Sequence, residues 1–315
     1  MSSNHNHAHD HGDVFHSHAP IGKMKLAFFL TLIILVVELI GGIISHSLAL
    51  LSDAGHVLTD IAAIGLSWYA MRQSEKPASE KFTFGYHRSG ILAAFINAMT
   101  LIVIAVVILY EAIERFKNPQ PVGSTWMFIS ASVGLMMNLY LGLGLRKEDN
   151  INVKSAVLHM IGDAMASAGV IIGGFIILFT GWDIIDPILS VLIAFLIATG
   201  AWKIVKQTIG ILMEATPKGI SLKEITDKLQ SVEGVVNVHD LHVWCIASGK
   251  NALSCHVVLN NQVSFQESQV ILRKIEHEMI HQGIGHVTIQ LENEQHPHDE
   301  SAICSVTEHD HHHSH

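Results

Sequence analysis

The chain has 315 residues, of which 49% are hydrophobic and only 15% charged, and its formal net charge is −9. A soluble domain carries about 25% charged residues, so this composition argues against a purely soluble protein. Three cysteines (Cys245, Cys255 and Cys304) with no CxxC pair rule out a disulfide scaffold and a cysteine zinc finger, and an acidic chain without a Lys/Arg stripe speaks against a nucleic-acid partner.

Histidine is the anomaly, with 23 residues against 19 lysines and arginines together. Six fall in residues 1–18 and seven in 296–315, which leaves ten for the body of the chain. The N-terminal tract is rich in His and Asp and lacks the basic start of a secretory signal.

Six apolar stretches then follow in order, at 26–44, 54–71, 91–110, 122–145, 155–181 and 187–202. Most approach the roughly 20 residues that a helix needs to cross a bilayer. The first holds a single charge, Glu38; the second holds His56 and Asp60; the fifth holds only His159 and Asp163. The sixth is short, and Lys203 and Lys206 can snorkel at its end. Trp68, Trp126, Trp182 and Trp202 fall near span ends, as interfacial anchors do. Glu38, Asn97 and Asn138 are expected to make interhelical hydrogen bonds.

Basic residues set the expected orientation. Lys23 and Lys25 precede the first span; Arg72, Lys76, Lys81 and Arg88 lie between spans two and three; Arg146, Lys147 and Lys154 lie between four and five. Arg115 and Lys117 after the third span are discordant. The sum places both termini in the cytoplasm.

Beyond Lys206 the pattern changes. Residues 221–232 read as a helix with Leu222, Ile225 and Leu229 on one face and Ser221 as N-cap. Strands are predicted at 235–246, 251–259 and 286–292, with an amphipathic helix at 264–282. The order αββαβ makes a small open sheet with helices on one face. The organisation is therefore a His-rich tail (1–22), an α-helical membrane domain of six transmembrane helices (23–210), a small α+β cytoplasmic domain (211–292) and a second His-rich tail (293–315).

The sharpest feature is a repeated His-x3-Asp: His56 and Asp60 in the second span, His159 and Asp163 in the fifth. Residues i and i+4 share a helical face, so each pair aims at one point. Two imidazoles and two carboxylates suit tetrahedral zinc and fit the oxygen-only preference of calcium or magnesium poorly. The competing reading is polar contacts between helices, but four ionisable groups at membrane depth are hard to keep without a ligand. Asp53 shares the face of His56 and Asp60 nearer the span's end and reads as a gate or hydrogen-bonding residue. Binding would require neutral imidazoles and ionised carboxylates, so metal entry would release protons. His56 or His159 is the expected proton carrier.

These residues lie in the run from Ser47 to Asp60 (SLALLSDAGHVLTD), which resembles the cation diffusion facilitator family. The resemblance continues through Phe84-Gly85-Tyr86, Asn97, the run from Glu111 to Arg115, His159 and Asp163, Asp186-Pro187 and the run from His239 to Trp244, and covers about residues 20–292. It implies proton-coupled export of zinc, and in some members of cadmium, cobalt or other divalent ions. It further implies a homodimer and a ferredoxin-like cytoplasmic domain that binds metal, while the short, compact form suggests a bacterial inner membrane. It places the transported ion at His56, Asp60, His159 and Asp163. It also places cytosolic zinc near His256, His286 and Glu292.

In the cytoplasmic domain, His256, His286 and Glu292 share the sheet face away from the apolar positions. His239 and His242 are three apart and face opposite ways unless the strand bulges. Positions 286 and 292 are roughly 20 Å apart in an ideal strand, so one ion reaches both only through a bend or a partner subunit. His239, His256, His286 and Glu292, with Cys304 from the tail, are the candidate cytoplasmic ligands; ordinary solvated histidines are the alternative. The pair His277 and His281 reads as a solvated helix face. The competing functional class is a membrane-embedded metalloenzyme with a His/Asp site. No span carries the Glu-x-x-His pairs of diiron bundles, an H-E-x-x-H or a G-x-S-x-G.

Overall fold

A computed structural model of the chain describes residues 21–145, 151–247 and 249–294, leaving aside side chains at 21–27, 67, 71, 144–145 and 151–159. These residues form two units, one of residues 21–76 and 92–208, the other of 77–91 and 209–294. The segment between the second and third long helices thus belongs to the C-terminal unit.

The first unit holds six long helices: α1 (Ile21–Ser45), α2 (Leu48–Ser74), α3 (Ser89–Lys117), α4 (Ser124–Leu145), α5 (Ile151–Thr180) and α6 (Ile185–Leu212). All six are long and apolar enough to cross a membrane. Most outrun their apolar stretches. The sixth runs on past residue 202 to Leu212 because charge at Lys203 and Lys206 ends hydropathy but not helix, and no proline interrupts it before Pro217.

α1 packs on α2 and α4, and α4 packs on α5. Small residues permit this closeness. A Cβ on Gly41 would lie 1.8 Å from Ser130 Oγ, so α1 and α4 meet where only glycine fits. Met127 and Ala131 of α4 pack with Ala49 and Leu50 of α2 and with Val170 and Ile177 of α5. Outward positions such as Val103, Val106, Val107, Phe195 and Leu196 remain exposed, as lipid-facing residues would.

The start of α2 is held by a residue far along the chain. Asp186, fully buried, accepts from Ser47 Oγ at 2.5 Å and from the amides of Leu48 at 2.7 Å and Ala49 at 3.3 Å. Ser47 Oγ in turn accepts from Leu50 N at 3.2 Å. Arg115 of α3 reaches the same carboxylate at 3.5 Å and donates to the His46 carbonyl. A carboxylate at a helix N-terminus satisfies orphan amides and complements the helix dipole.

The second unit contains α7 (Leu222–Gln230), β1 (Val235–Ala247), β2 (Lys250–Leu259), α8 (Phe265–His281) and β3 (Ile284–Asn293). β1 and β2 pair antiparallel, β2 and β3 pair parallel through the α8 crossover, and the order is β1-β2-β3. This is the expected αββαβ order. Ser264 caps α8 in a reciprocal capping box with Glu267, whose carboxyl those hydrogen bonds hold below its ordinary range. Ile225 and Leu229 of α7 and Ile271, Ile275 and Met279 of α8 cover one sheet face.

Cys255 lies in that core, and burial, with the Asp240 charge adding to it, pushes its thiol up to about 12. The folded protein should therefore resist iodoacetamide at Cys255 at neutral pH, while urea-unfolded protein reacts there. Mass spectrometry of the labelled peptide checks this.

Candidate metal centres

The helical repeat of α2 sets His56 and Asp60 on one face, with His56 Nε2 3.9 Å from Asp60 Oδ2. Asp163 of α5 meets the same imidazole, its Oδ1 3.6 Å from Nε2. Two of the expected carboxylates, one from each helix, thus approach the imidazole of a third expected ligand. His159 stands in α5 one turn before Asp163, and its side chain lies outside the described residues. Asp53, buried and one turn before His56, accepts a hydrogen bond from Ser167 Oγ of α5 at 3.2 Å. Sequence reasoning missed Ser167, which carries no local signal of its role.

One imidazole approached by two carboxylates, with His159 on the adjoining turn of α5, forms a nitrogen–oxygen donor set of the kind zinc prefers. They line partly accessible space, with side-chain exposures of 24% for His56, 25% for Asp60 and 15% for Asp163.

Glu38 corrects an expectation. It is fully buried on α1, yet among the described residues neither carboxyl oxygen has a hydrogen-bond partner, so the predicted interhelical bond is not found there. Gly134 of α4, which offers no side-chain donor, lies beside it.

In the second unit the decisive local event is a bulge in β1. Its register to β2 shifts between His239 and His242, and Asp240 takes φ +52°. Asp is among the few non-glycine residues that tolerate this backbone. The extra residue lets His239 oppose His256 and His242 oppose Ser254, so both histidines fall on one face. Asp within a strand was the available sequence signal, since it is depleted there.

The buried Glu292 of β3 forks between two imidazoles: Oε2 lies 3.0 Å from His239 Nε2 and Oε1 2.9 Å from His256 Nδ1. Each of the three residues offers a ligand atom within 4.8 Å of the others. Asp240 sits beside them, 3.6 Å from His256 Nε2 and 3.1 Å from His242 Nε2. Three donors leave a fourth zinc position for water or another ligand. His286 does not join this cluster. It pairs with Ala252 at the far end of β3 and stacks edge-on against Phe84, with ring centroids 5.6 Å apart. The straight run of β3 keeps it from Glu292. Cys304 lies outside the described residues.

Six membrane-length helices, with His56 facing carboxylates of α2 and α5, followed by a small α+β domain, make a multi-pass membrane protein. Comparison with known proteins agrees. Residues 24–213 match the family model described as the cation efflux transmembrane domain, and residues 217–294 that described as the cation efflux protein, cytoplasmic domain. The chain belongs to the cation efflux, or cation diffusion facilitator, family, whose members are transporters and not enzymes. It is 44% identical over 92% of its length to a "cadmium, cobalt and zinc/H(+)-K(+) antiporter" of Bacillus subtilis, covering 96% of that protein. It is 38% identical to the "zinc transporter ZitB" of Escherichia coli K12, over 98% of this chain and 99% of that one. It is also 38% identical to the "metal cation efflux system protein CzcD" of Cupriavidus metallidurans, over 93% of this chain and 90% of that one.

Proposed function

We propose that the protein exports zinc, and with it cadmium, cobalt or other divalent cations, from the cytosol in exchange for protons. The ion is carried at His56, Asp60, His159 and Asp163. The observation that carries this reading is the approach of Asp60 of α2 and Asp163 of α5 to the one imidazole of His56. The names of the relatives support the cargo and the antiport. Metal entry needs deprotonated donors, so a site alternately open to either side exchanges zinc for protons. An inward proton offsets part of the cost of moving zinc charge against the membrane potential, about 2.3 kcal/mol per charge per 100 mV.

The basic loops favour both termini and the C-terminal domain on the cytosolic side, and the membrane is read as the bacterial inner membrane. The description of the second family model supports the cytosolic placing. The protein is read as a homodimer by its family.

The cluster of His239, His256 and Glu292 is read as a resident zinc site that reports cytosolic zinc. Its residues fit the ion, because one buried carboxylate and two imidazoles supply three donors with the right atoms. Glu292→Ala in the full-length protein should lower the zinc bound per chain by one and leave zinc transport measurable. Equilibrium dialysis and flux on the same preparation check both.

Export itself is tested in zinc-sensitive cells lacking their own zinc exporters. Wild-type protein should restore growth in zinc and lower cell zinc, whereas Asp163→Asn, expressed to the same level, should do neither. Unaltered zinc sensitivity with correctly inserted wild-type protein would contradict the proposal.

A further inference from the structure

Glu38 is fully buried, and among the described residues neither of its carboxyl oxygens has a hydrogen-bond partner. A second observation shows that the fold makes room for it. A Cβ on Gly134 would lie 2.3 Å from Glu38 Oε1, so the absent side chain at 134 is the space the carboxyl fills. The same Cβ position lies 3.4 Å from Ser167 Oγ, so the carboxyl and the hydroxyl are no further apart than the sum of those distances. Ser167 donates to Asp53, and Asp53 is one turn of α2 from His56. A row of polar groups therefore runs from Glu38 on α1, past α4, to the donor cluster between α2 and α5.

The charged groups that act on Glu38 are the carboxyls of Asp53 on α2 and Asp163 on α5; α4 faces it with Gly134. A bare carboxylate there would be buried away from bulk water with no donor or cation among the described residues, an arrangement that costs several kcal/mol. The neutral acid removes that cost.

We propose that Glu38 is a proton-binding site of the exchange cycle, separate from the metal ligands. The inference rests on the proton-coupled reading above. Without metal, Glu38 carries a proton. When zinc enters among His56, Asp60, His159 and Asp163, its double positive charge stabilises a second carboxylate nearby. The Glu38 O–H bond then breaks, its electrons stay on the carboxylate, and the proton passes to water on the side to which the site is open. When zinc leaves, the carboxylate takes a proton back from the side then open. The charge on zinc and the charge on Glu38 thus alternate.

The test uses full-length, detergent-solubilised protein carrying Glu292→Ala, which removes the cytoplasmic zinc site, and zinc alone as the probe. Protons released per zinc are counted with a pH indicator, and the infrared C=O stretch of protonated carboxyl groups is followed in the same titration. Glu38→Gln keeps the shape and removes the acid. It should bind zinc, release one proton fewer per zinc than wild type, and lack the C=O band that zinc bleaches in wild type. Glu38→Met, which leaves no polar atom to satisfy, gives the same comparison if the glutamine variant does not fold. A variant that binds zinc with the wild-type proton count overturns the role of Glu38 and leaves proton exchange standing. A wild type that releases no proton overturns both.

Discussion

Asp163→Asn is expected to abolish zinc binding at the membrane site. The substitution keeps size and helix but removes one of the two carboxylates in the described donor cluster. Loss of a group that merely orients a ligand costs about 10- to 100-fold in metal affinity. Loss of a charged ligand should cost more, so the affinity should fall by over about 100-fold. Asp60→Asn should behave alike, since its carboxylate faces the same imidazole. Stability should not suffer, because an aspartate at membrane depth is itself unfavourable by about 2.5–3.5 kcal/mol on insertion scales. Calorimetric zinc titration in a Glu292→Ala background isolates the site, and a thermal melt of the same sample reports folding. Wild-type affinity in Asp163→Asn would remove that residue from the site.

Asp186→Ala is expected to have the largest effect on folding. Asp186 joins the N-terminus of α2, the end of α3 and the start of α6 through Ser47, two amides and Arg115. Truncation leaves the Arg115 charge and the Leu48 and Ala49 amides without their partner in a buried place. Removing one member of a buried pair typically costs about 3–5 kcal/mol. The variant should therefore melt well below wild type or fail to reach the membrane as monodisperse protein. Asp186→Asn, which keeps an acceptor for the amides, should be milder. Fluorescence-detected size-exclusion chromatography after heating ranks the three. The disruption would also reach the metal site, because α2 carries His56 and Asp60 within its next turns.

How far the sequence could be read follows the range of the interactions involved. The pairing of His56 with Asp60 is local, a matter of helical period, and was legible at once. The meeting of that pair with Asp163 was legible only because the motif occurs twice. The role of Asp186 was not, since its partners at 47–49 lie some 138 residues away and no periodicity links them. Glu38 was visible as a charge in a span, but its isolation depends on Gly134 of another helix. In the C-terminal domain the strands were legible from alternation. The Asp240 bulge that turns His239 and His242 to one face was foreseen only as a condition. Distance along a strand correctly warned that His286 and Glu292 lie apart, and the structure keeps them so.

The most direct test of zinc–proton exchange is zinc flux in proteoliposomes carrying purified protein and an imposed pH gradient. The expected result is zinc accumulation in the compartment with the higher proton concentration, reversing when the gradient is reversed, with protons moving the opposite way. Asp163→Asn vesicles should show neither movement. Zinc movement indifferent to the pH gradient, or equal in wild type and Asp163→Asn, would contradict exchange through the site between α2 and α5.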